Sequence, residues 1–199
     1  MPSYPLFPIP VVLFPGAMMP LYIFEPRYRA MLEWALEHDR MFCVALMKPG
    51  VTEAETVGQF FHTAGIGLIS ASVTQTDGTS NLMLQGLARV RFTGFSQLAP
   101  FYIAKIDPLA SVTSDPAEAV SLAEELRRQC ASVRVDGAAL PESFDEVLAR
   151  IADPDFIADT VAHSLVRDPV QRQRLLEEQN TETRLQEIAR IIRDDFAPG

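Results

Sequence analysis

Hydrophobic positions in the first half of the chain come in short runs that prolines and glycines interrupt. Residues 6–10 and 11–16 are two such runs, and their prolines lack the backbone donor that a central strand needs. Such runs favour strand ends and sheet edges. Residues 42–47 are continuously apolar, which is typical of a strand buried on both faces. The first half is therefore predicted to be rich in short strands.

A helix and a hairpin are predicted between these runs. Pro26 stands where a first helical turn tolerates proline, and apolar residues follow at helical spacing, so a helix of about three turns should end near His38. Asp77-Gly78 indicates a hairpin, because its tight turn needs the positive φ that these residues tolerate. The remaining predicted strands are residues 57–73, 81–85, 89–92 and 101–106.

After Pro108 the hydrophobic period becomes helical. Asp115-Pro116 offers a cap and a first-turn proline, and Asp136-Gly137 is predicted to end the helix that follows. The apolar stripes are Ala119, Leu122, Ala123, Leu126, Cys130 and Val133; then Phe156, Ile157, Val161 and Leu165; then Leu175 and Leu176 after Asp168-Pro169; then Leu185, Ile188, Ala189 and Ile192. We predict an α+β fold with a β-rich domain over residues 1–110, containing one helix, and an all-helical bundle over residues 111–199.

Composition and charge narrow the class of protein. The chain has 199 residues, of which 48% are hydrophobic and 22% charged, so it can bury a core. Residues 110–199 hold 18 acidic and 10 basic side chains, which places nearly all of the net charge of −9 there. An acidic surface repels polyanions, so nucleic-acid binding is disfavoured.

The cysteines and the N-terminus indicate the compartment. Cys43 and Cys130 lie in apolar contexts, where two reduced core thiols are expected. Six prolines interrupt the first twenty residues, and no window approaches the roughly 18 apolar residues of a membrane span. We expect no signal peptide, no membrane segment and a cytoplasmic protein.

The usual catalytic and ligand-binding motifs are absent from the sequence. Neither lysine is followed by serine or threonine, so no P-loop is predicted. Residues 65–70 approach a dinucleotide fingerprint but lead into a β-prone stretch instead of a helix. The three histidines are far apart, and no nucleophile elbow occurs. We predict no cofactor, no metal and no catalytic residue; the one nucleophile arrangement to consider is a serine–lysine dyad of Lys105 with Ser70 or Ser72.

Two groups of residues are candidates for binding. The N-terminal region is rich in methionine and aromatic residues and forms either core or an exposed apolar groove. Four arginines form either a patch for a carboxylate- or phosphate-bearing partner or a solvated surface paired with glutamates. The candidate binding residues are Phe14, Met18, Met19, Tyr22 and Phe24 for the groove, and Arg27, Arg29, Arg89 and Arg91 for the patch.

Residues 5–16 and 20–29 together resemble the opening signature of the Lon protease N-terminal (substrate-recognition) domain family. Further segments agree with the family in order and spacing, and the resemblance covers essentially the whole chain. These segments are residues 65–67, 77–78, 81–86, 89–92, 168–177 and 183–186.

The resemblance implies a PUA-like β-rich pseudo-barrel followed by a helical bundle. In the full-length protease this region helps to recognise unfolded substrates, and the ATPase and protease modules follow it. Because the chain ends at Gly199, we expect a stand-alone, ATP-independent and non-catalytic domain without those modules. It should bind unfolded polypeptide or a partner protein through the β-rich part, with the arginines selecting acidic flanks. The alternatives are an RNA-binding PUA-like protein and an enzyme whose site is not visible in the sequence.

Overall fold

The fold is described from a computed structural model, in which residues 2–135 and 138–196 are described. The chain divides into two compact units, Met1–Leu109 and Ala110–Gly199. Unit 1 contains a mixed six-stranded sheet with one helix, and unit 2 is mainly helical, so the predicted α+β class is confirmed. In the part of the chain that is described, no helix has both the length and the apolar character that crossing a membrane requires.

The sheet of unit 1 closes on itself. The elements of unit 1 are β1 Ser3–Ile9, β2 Met18–Ile23, α1 Pro26–Glu37, β3 Met41–Leu46, β4 Thr63–Thr74, β5 Ser80–Gln97 and β6 Tyr102–Leu109. The strand order is β2-β5-β4-β3-β1-β6, and β6 also pairs with β5, which joins five of the strands into a barrel with β2 as an additional strand. All pairs are antiparallel except β1 with β3.

Strand β5 makes closure possible because its two halves have different partners. Residues 80–85 pair with β2, whereas residues 89–97 pair with β6. The sequence predicted two separate strands here; they are one, because Gly86 and Ala88 between them continue the ladder with β4. The predicted hairpin between β4 and β5 is present, with Gly78 at φ +82.

The position of β1 differs from the edge that its prolines predicted. β1 lies between β3 and β6 in the sheet. However, residues 3–6 pair with β6 and residues 6–9 pair with β3, so each half has a partner on one side. Pro5 and Pro8 are therefore tolerated without interrupting a strand that is bonded on both sides.

Residues 11–16, predicted as a strand run, instead form a buried segment that crosses the sheet. The amide of Gly16 donates to the carbonyl of Gly86 at 2.9 Å, and the amide of Gly86 donates to that of Ala17 at 2.8 Å. A Cβ on Gly65 would overlap the carbonyl oxygen of Leu13, and one on Gly86 would overlap that of Phe14. The missing side chains of these glycines allow the close approach.

Two layers of core stabilise unit 1. One is a cluster that includes Leu6, Phe60, Phe92 and Tyr102. The other involves α1, which ends at Glu37 as predicted and packs Tyr28 against Phe7 with ring centroids 4.5 Å apart. Hydrophobic burial on both sides of β1 and β3 thus holds the barrel and the helix together.

Unit 2 consists of helices whose starts are mostly capped by acidic or amide side chains. Asp115, Asp153, Asp168 and Asn180 each accept hydrogen bonds from amides of the first turn. The elements are α2 Pro116–Ser132, β7 Arg134–Val135, β8 Ala138–Ala139, α3 Glu142–Arg150, α4 Pro154–Leu165, α5 Pro169–Glu177 and α6 Thr181–Asp195. The sequence did not predict α3, and the predicted turn at Asp136-Gly137 lies outside the described residues.

A buried arginine links the elements of unit 2. Arg184 on α6 is fully buried; its guanidinium donates to Asp159 at 3.2 Å, to Ser111 at 3.1 Å and to Asp155. A buried cation requires such partners because removing it from water is costly. The network therefore has a structural role, fixing α4 and the segment before α2 to α6.

Candidate functional site

Strand β2 presents its alternate side chains to solvent. Met18 and Tyr22 are 47% and 54% exposed, whereas Met19 and Ile23, which directly follow them, are buried. This alternation is the period of a strand with one face on the core. Phe24, directly after the strand, is 57% exposed, and its ring stacks on that of Tyr22 with centroids 5.8 Å apart. The end of β2 therefore carries an exposed aromatic pair.

The exposed face of β2 continues across its neighbours. The register places Pro20 opposite Met83 of β5, and Met83 opposite Ala71 of β4. In the next row Tyr22 lies opposite Asn81, which lies opposite the exposed Val73. These six residues, which we call the outer face, line a shallow depression of about 410 Å³. It is mostly apolar.

On its other side, Tyr22 lines a second depression of about 340 Å³, which we call the aromatic groove. The end of β1, the residues after β2, the start of α1 and the segment after β3 form its walls. Its apolar lining residues are Phe7, Pro8, Ile9, Pro10, Val11, Leu21, Tyr22, Phe24, Tyr28, Met47 and Ala54, and its other lining residues are Glu25, Arg27, Thr52 and Glu53. Tyr22 therefore connects the groove with the outer face.

Arg27 is the cation of the groove, and it is already paired. Its Nη2 lies 2.9 Å from Oε2 of Glu25 and 2.9 Å from Oε1 of Glu53, and its guanidinium carbon lies 4.5 Å from the ring centroid of Tyr28. Burial raises the pKa of Tyr28 to about 12, although Arg27 opposes the rise. The phenol of Tyr28 therefore stays neutral at physiological pH and offers a polar hydroxyl, not a charge.

Three of the predicted binding residues are not on the surface. Phe14 is 0% exposed because its segment crosses the sheet and turns the side chain into the core. Met19 is 8% exposed because it alternates with Met18 on β2. Arg89 is 3% exposed at a position where β5 pairs with both Gly65 and Leu109. The expectation that these three residues lie on an exposed binding surface is therefore wrong, because their side chains are buried.

The structure does not gather the four arginines into one patch. Arg29 packs its guanidinium on Gly78 at the hairpin turn, where an added Cβ would overlap it. Arg91 lies in the half of β5 that pairs with β6, opposite Asp107. Arg27 lines the aromatic groove together with Tyr22 and Phe24. These three are therefore the predicted binding residues that the fold brings close together.

The sequence reasoning missed two parts of the site. Glu53 and Ala54 come from a polar connection with no local signal for a groove. Met83 and Val73 could have been found, because strand alternation on either side of the Asp77-Gly78 turn places them on one face once the hairpin register is known.

Covalent chemistry at the described cysteines or at the predicted serine–lysine pair requires a suitable protonation state and geometry. Burial raises the pKa of the Cys43 thiol well above its ordinary value and that of Cys130 to about 12, so both thiols stay protonated. Lys105 pairs with Ser3 and Gly94, whereas Ser72 lies opposite Leu82 in the other half of β5, so the strands hold this lysine and serine apart. Within residues 2–135 and 138–196, no group of three or more His, Cys, Asp or Glu side chains could hold a metal ion.

Comparisons with known proteins give a consistent family. The family model for the ATP-dependent protease La (LON) substrate-binding domain matches residues 3–194. The Lon protease of Trichlorobacter lovleyi is 27% identical over 190 residues, which are 94% of this chain and 23% of that protein. The Lon protease of Escherichia coli is 25% identical over 193 residues, covering 96% of this chain and 25% of that protein. The chain thus spans about a quarter of the length of the curated relatives that it matches.

Two solved structures share the fold. The N-terminal domain of the Mycobacterium avium complex Lon protease superposes with a TM-score of 0.77 at 17% identity, covering 97% of this chain and 99% of that one. A Lon N-terminal domain protein from Xanthomonas campestris gives a TM-score of 0.67 at 23% identity, covering 94% of this chain and 97% of that one.

Proposed function

The chain belongs to the ATP-dependent protease La (LON) substrate-binding domain family, and from this premise we propose that it is a non-catalytic module that binds polypeptide. The observation that carries the proposal is the exposed apolar surface formed by Met18, Tyr22 and Phe24. Exposed and contiguous apolar side chains commonly mark a site of protein interaction. We place this function in the cytoplasm, in keeping with the two buried, reduced cysteines.

The mechanism that we propose is apolar docking around Tyr22. An apolar side chain of an unfolded segment would enter the aromatic groove, and the neighbouring residues of the segment would lie along the outer face. Aromatic side chains suit this role because each buries a large area while losing little rotational freedom. Affinity would come from apolar burial, which does not depend on one particular sequence.

The proposal favours a protein partner over RNA. A PUA-like protein that binds RNA would need a basic surface for phosphates. Here Arg27 is paired with two glutamates, Arg89 is buried, and Arg29 and Arg91 lie at different places on the sheet. An unstructured RNA oligonucleotide therefore serves as a negative control for binding.

The test is a titration with a fluorescently labelled model protein that reduction and alkylation keep permanently unfolded. The variant Y22S/F24S removes the exposed aromatic pair and should weaken binding about tenfold, because two interface aromatics are lost. The matched control is L98S, which removes an exposed apolar side chain outside the groove and the outer face. Equal affinities of the parent chain and Y22S/F24S would contradict the proposed site, and an absence of any binding would contradict the proposed function.

A further inference from the structure

The aromatic groove has an acidic rim. Three charged residues line it, and two of them are the carboxylates Glu25 and Glu53. The third, Arg27, contacts both: its Nη2 lies 2.9 Å from each carboxylate, and its Nε donates to Glu25 at 3.1 Å. One guanidinium is thus shared between two negative charges, which leaves the rim with an excess of one carboxylate.

The exposure of these groups determines which charge an incoming ligand meets. The side chain of Glu53 is 59% exposed, whereas that of Arg27 is 27% exposed and lies over the ring of Tyr28. A further carboxylate, Glu55, lines a small neighbouring cavity together with Arg27. Lys48 follows the lining residue Met47 but does not itself line the groove. A ligand at the mouth therefore meets Glu53 before it meets Arg27.

A carboxylate that is already bonded to one arginine can accept from another donor, since its two oxygens offer about four lone-pair sites. A guanidinium that is shared between two carboxylates gains less from a third anion, which would also approach Glu25 and Glu53 against their charge. The local electrostatics therefore favour a cation at the mouth and oppose an anion. This is the reverse of the acidic preference that the arginines alone predicted.

We propose that the aromatic groove selects polypeptide segments in which an apolar or aromatic residue is flanked by lysine or arginine. The inference rests on the polypeptide-binding function proposed above and specifies the substrate class of the same site. The apolar side chain packs against Tyr22 and Phe24, and the flanking ammonium or guanidinium group donates to Glu53. Burial provides the affinity and the charge provides the selection.

The expected preference for basic over neutral flanks is modest, because the carboxylate of Glu53 is exposed to solvent. Pairs between solvent-exposed charges contribute about 0.2–1 kcal/mol, which corresponds to an affinity ratio of about 1.4- to 5-fold. Salt at about 500 mM shortens the Debye length to less than 5 Å and should remove most of the ratio. Apolar binding should persist under those conditions, because salt does not screen it.

The experiment uses the full chain and three fluorescent peptides that share one apolar core of leucine and phenylalanine. Their flanks are lysine, glutamine or aspartate, and a fourth peptide has lysine flanks around a glycine-serine core. Fluorescence anisotropy at about 50 mM salt should give the tightest binding for the lysine-flanked apolar peptide, about two- to fivefold tighter than for the glutamine-flanked peptide. Of the three apolar peptides, the aspartate-flanked one should bind most weakly, and the glycine-serine peptide should not bind measurably.

Variant E53Q should abolish the difference between lysine and glutamine flanks, because it removes the carboxylate to which the flanking cation donates. The matched control is E37Q, which neutralises an exposed glutamate of α1 that does not line the groove and should preserve the difference. This control accounts for general attraction to a chain with a net charge of −9. Circular dichroism of both variants checks that the fold is intact.

The possible outcomes separate this inference from the function on which it rests. Equal binding of all three apolar peptides, or tightest binding of the aspartate-flanked one, overturns the basic-flank selection and leaves polypeptide binding intact. Preserved selection in E53Q overturns the assignment to Glu53. Failure of every apolar peptide to bind contradicts the proposed function itself.

Discussion

The carbonyl oxygen of Phe14 occupies the space in which Gly86 would carry a side chain. Variant G86A should therefore be destabilised by about 1–3 kcal/mol or more, because the crossing backbone has to move to admit a methyl group. The control is G94A on the same strand, where the added Cβ meets only Lys105 Cδ at 3.9 Å and stability should change by less than about 1 kcal/mol. Urea unfolding of both variants measures the difference, and equal midpoints would contradict the close approach.

His163 should make stability pH-dependent. Burial lowers the pKa of His163 below its ordinary value, and the neighbouring Arg172 lowers it further. The folded state therefore disfavours the imidazolium, so the contribution of His163 is fully present above about pH 6.5 and is lost as pH falls through that value towards the lowered pKa. The melting temperature of the parent chain should fall more between about pH 7 and about pH 5 than that of H163Q. The melting temperature of R172Q should fall by an intermediate amount, since this variant removes the charge of Arg172 but leaves the burial of His163 unchanged. Parallel curves of melting temperature against pH for all three chains would contradict this role of His163.

Single residues also show why the sequence could not separate the exposed candidates from the buried ones. Met18, Met19 and Tyr22 are all suited to a core or to a groove, and their hydrophobicity is uniform. Pairing with β5 decides that Met18 and Tyr22 face outwards and Met19 inwards. Glu53 carries no local signal at all, because only the folded chain brings it to Arg27.

Among the elements, Pro20 is predicted to protect the free edge of β2. The amide of Gly86 bonds to the carbonyl of Ala17, so alternation along the antiparallel pair directs the backbone groups of Met18, Pro20 and Tyr22 away from β5. Pro20 has no amide to donate, which interrupts the row of donors that another strand would need. Variant P20T restores a donor and should self-associate increasingly with concentration in sedimentation experiments. The control M18T changes a side chain of the same strand without adding a donor and should sediment like the parent chain; identical behaviour of P20T would show that the edge needs no such protection.

The strength of the local pattern decided which elements could be predicted. α2, α4 and α6 bury several residues each at helical spacing, so their stripes were visible in the sequence. α3 buries only Leu148 among its nine residues, which is too little apolar periodicity to mark a helix. β2 was missed for the opposite reason: Met18 to Ile23 is so uniformly apolar that the period of two does not show. Barrel closure depends on β5 pairing with β6, a non-local contact that no short pattern reveals.

At the scale of the whole molecule, the two units differ in both periodicity and charge. The change from strand-like to helical spacing near Pro108 falls where residues 110–199 begin to carry 18 acidic and 10 basic side chains. The apolar surface around Tyr22 belongs to unit 1, and the Arg184 network belongs to unit 2. The proposed binding surface and the excess of acidic side chains therefore lie in different units.

Each unit has its own core, so fragments 1–109 and 110–199 should fold separately. Both exceed the roughly 40 residues below which a domain usually needs disulfides, metals or oligomerisation. Unit 1 holds the single tryptophan, Trp34, whose ring stacks on His38 with centroids 3.7 Å apart, so fluorescence reports on that unit alone. Urea unfolding of fragment 1–109, followed by this fluorescence, should reproduce the midpoint seen in the full chain, and far-ultraviolet circular dichroism should show a cooperative transition for fragment 110–199.

Because Tyr22, Phe24 and Glu53 all lie in fragment 1–109, this fragment should retain the affinity of the full chain for the lysine-flanked peptide, whereas fragment 110–199 should not bind it. A first fragment that folds but does not bind would show that unit 1 alone does not make the site.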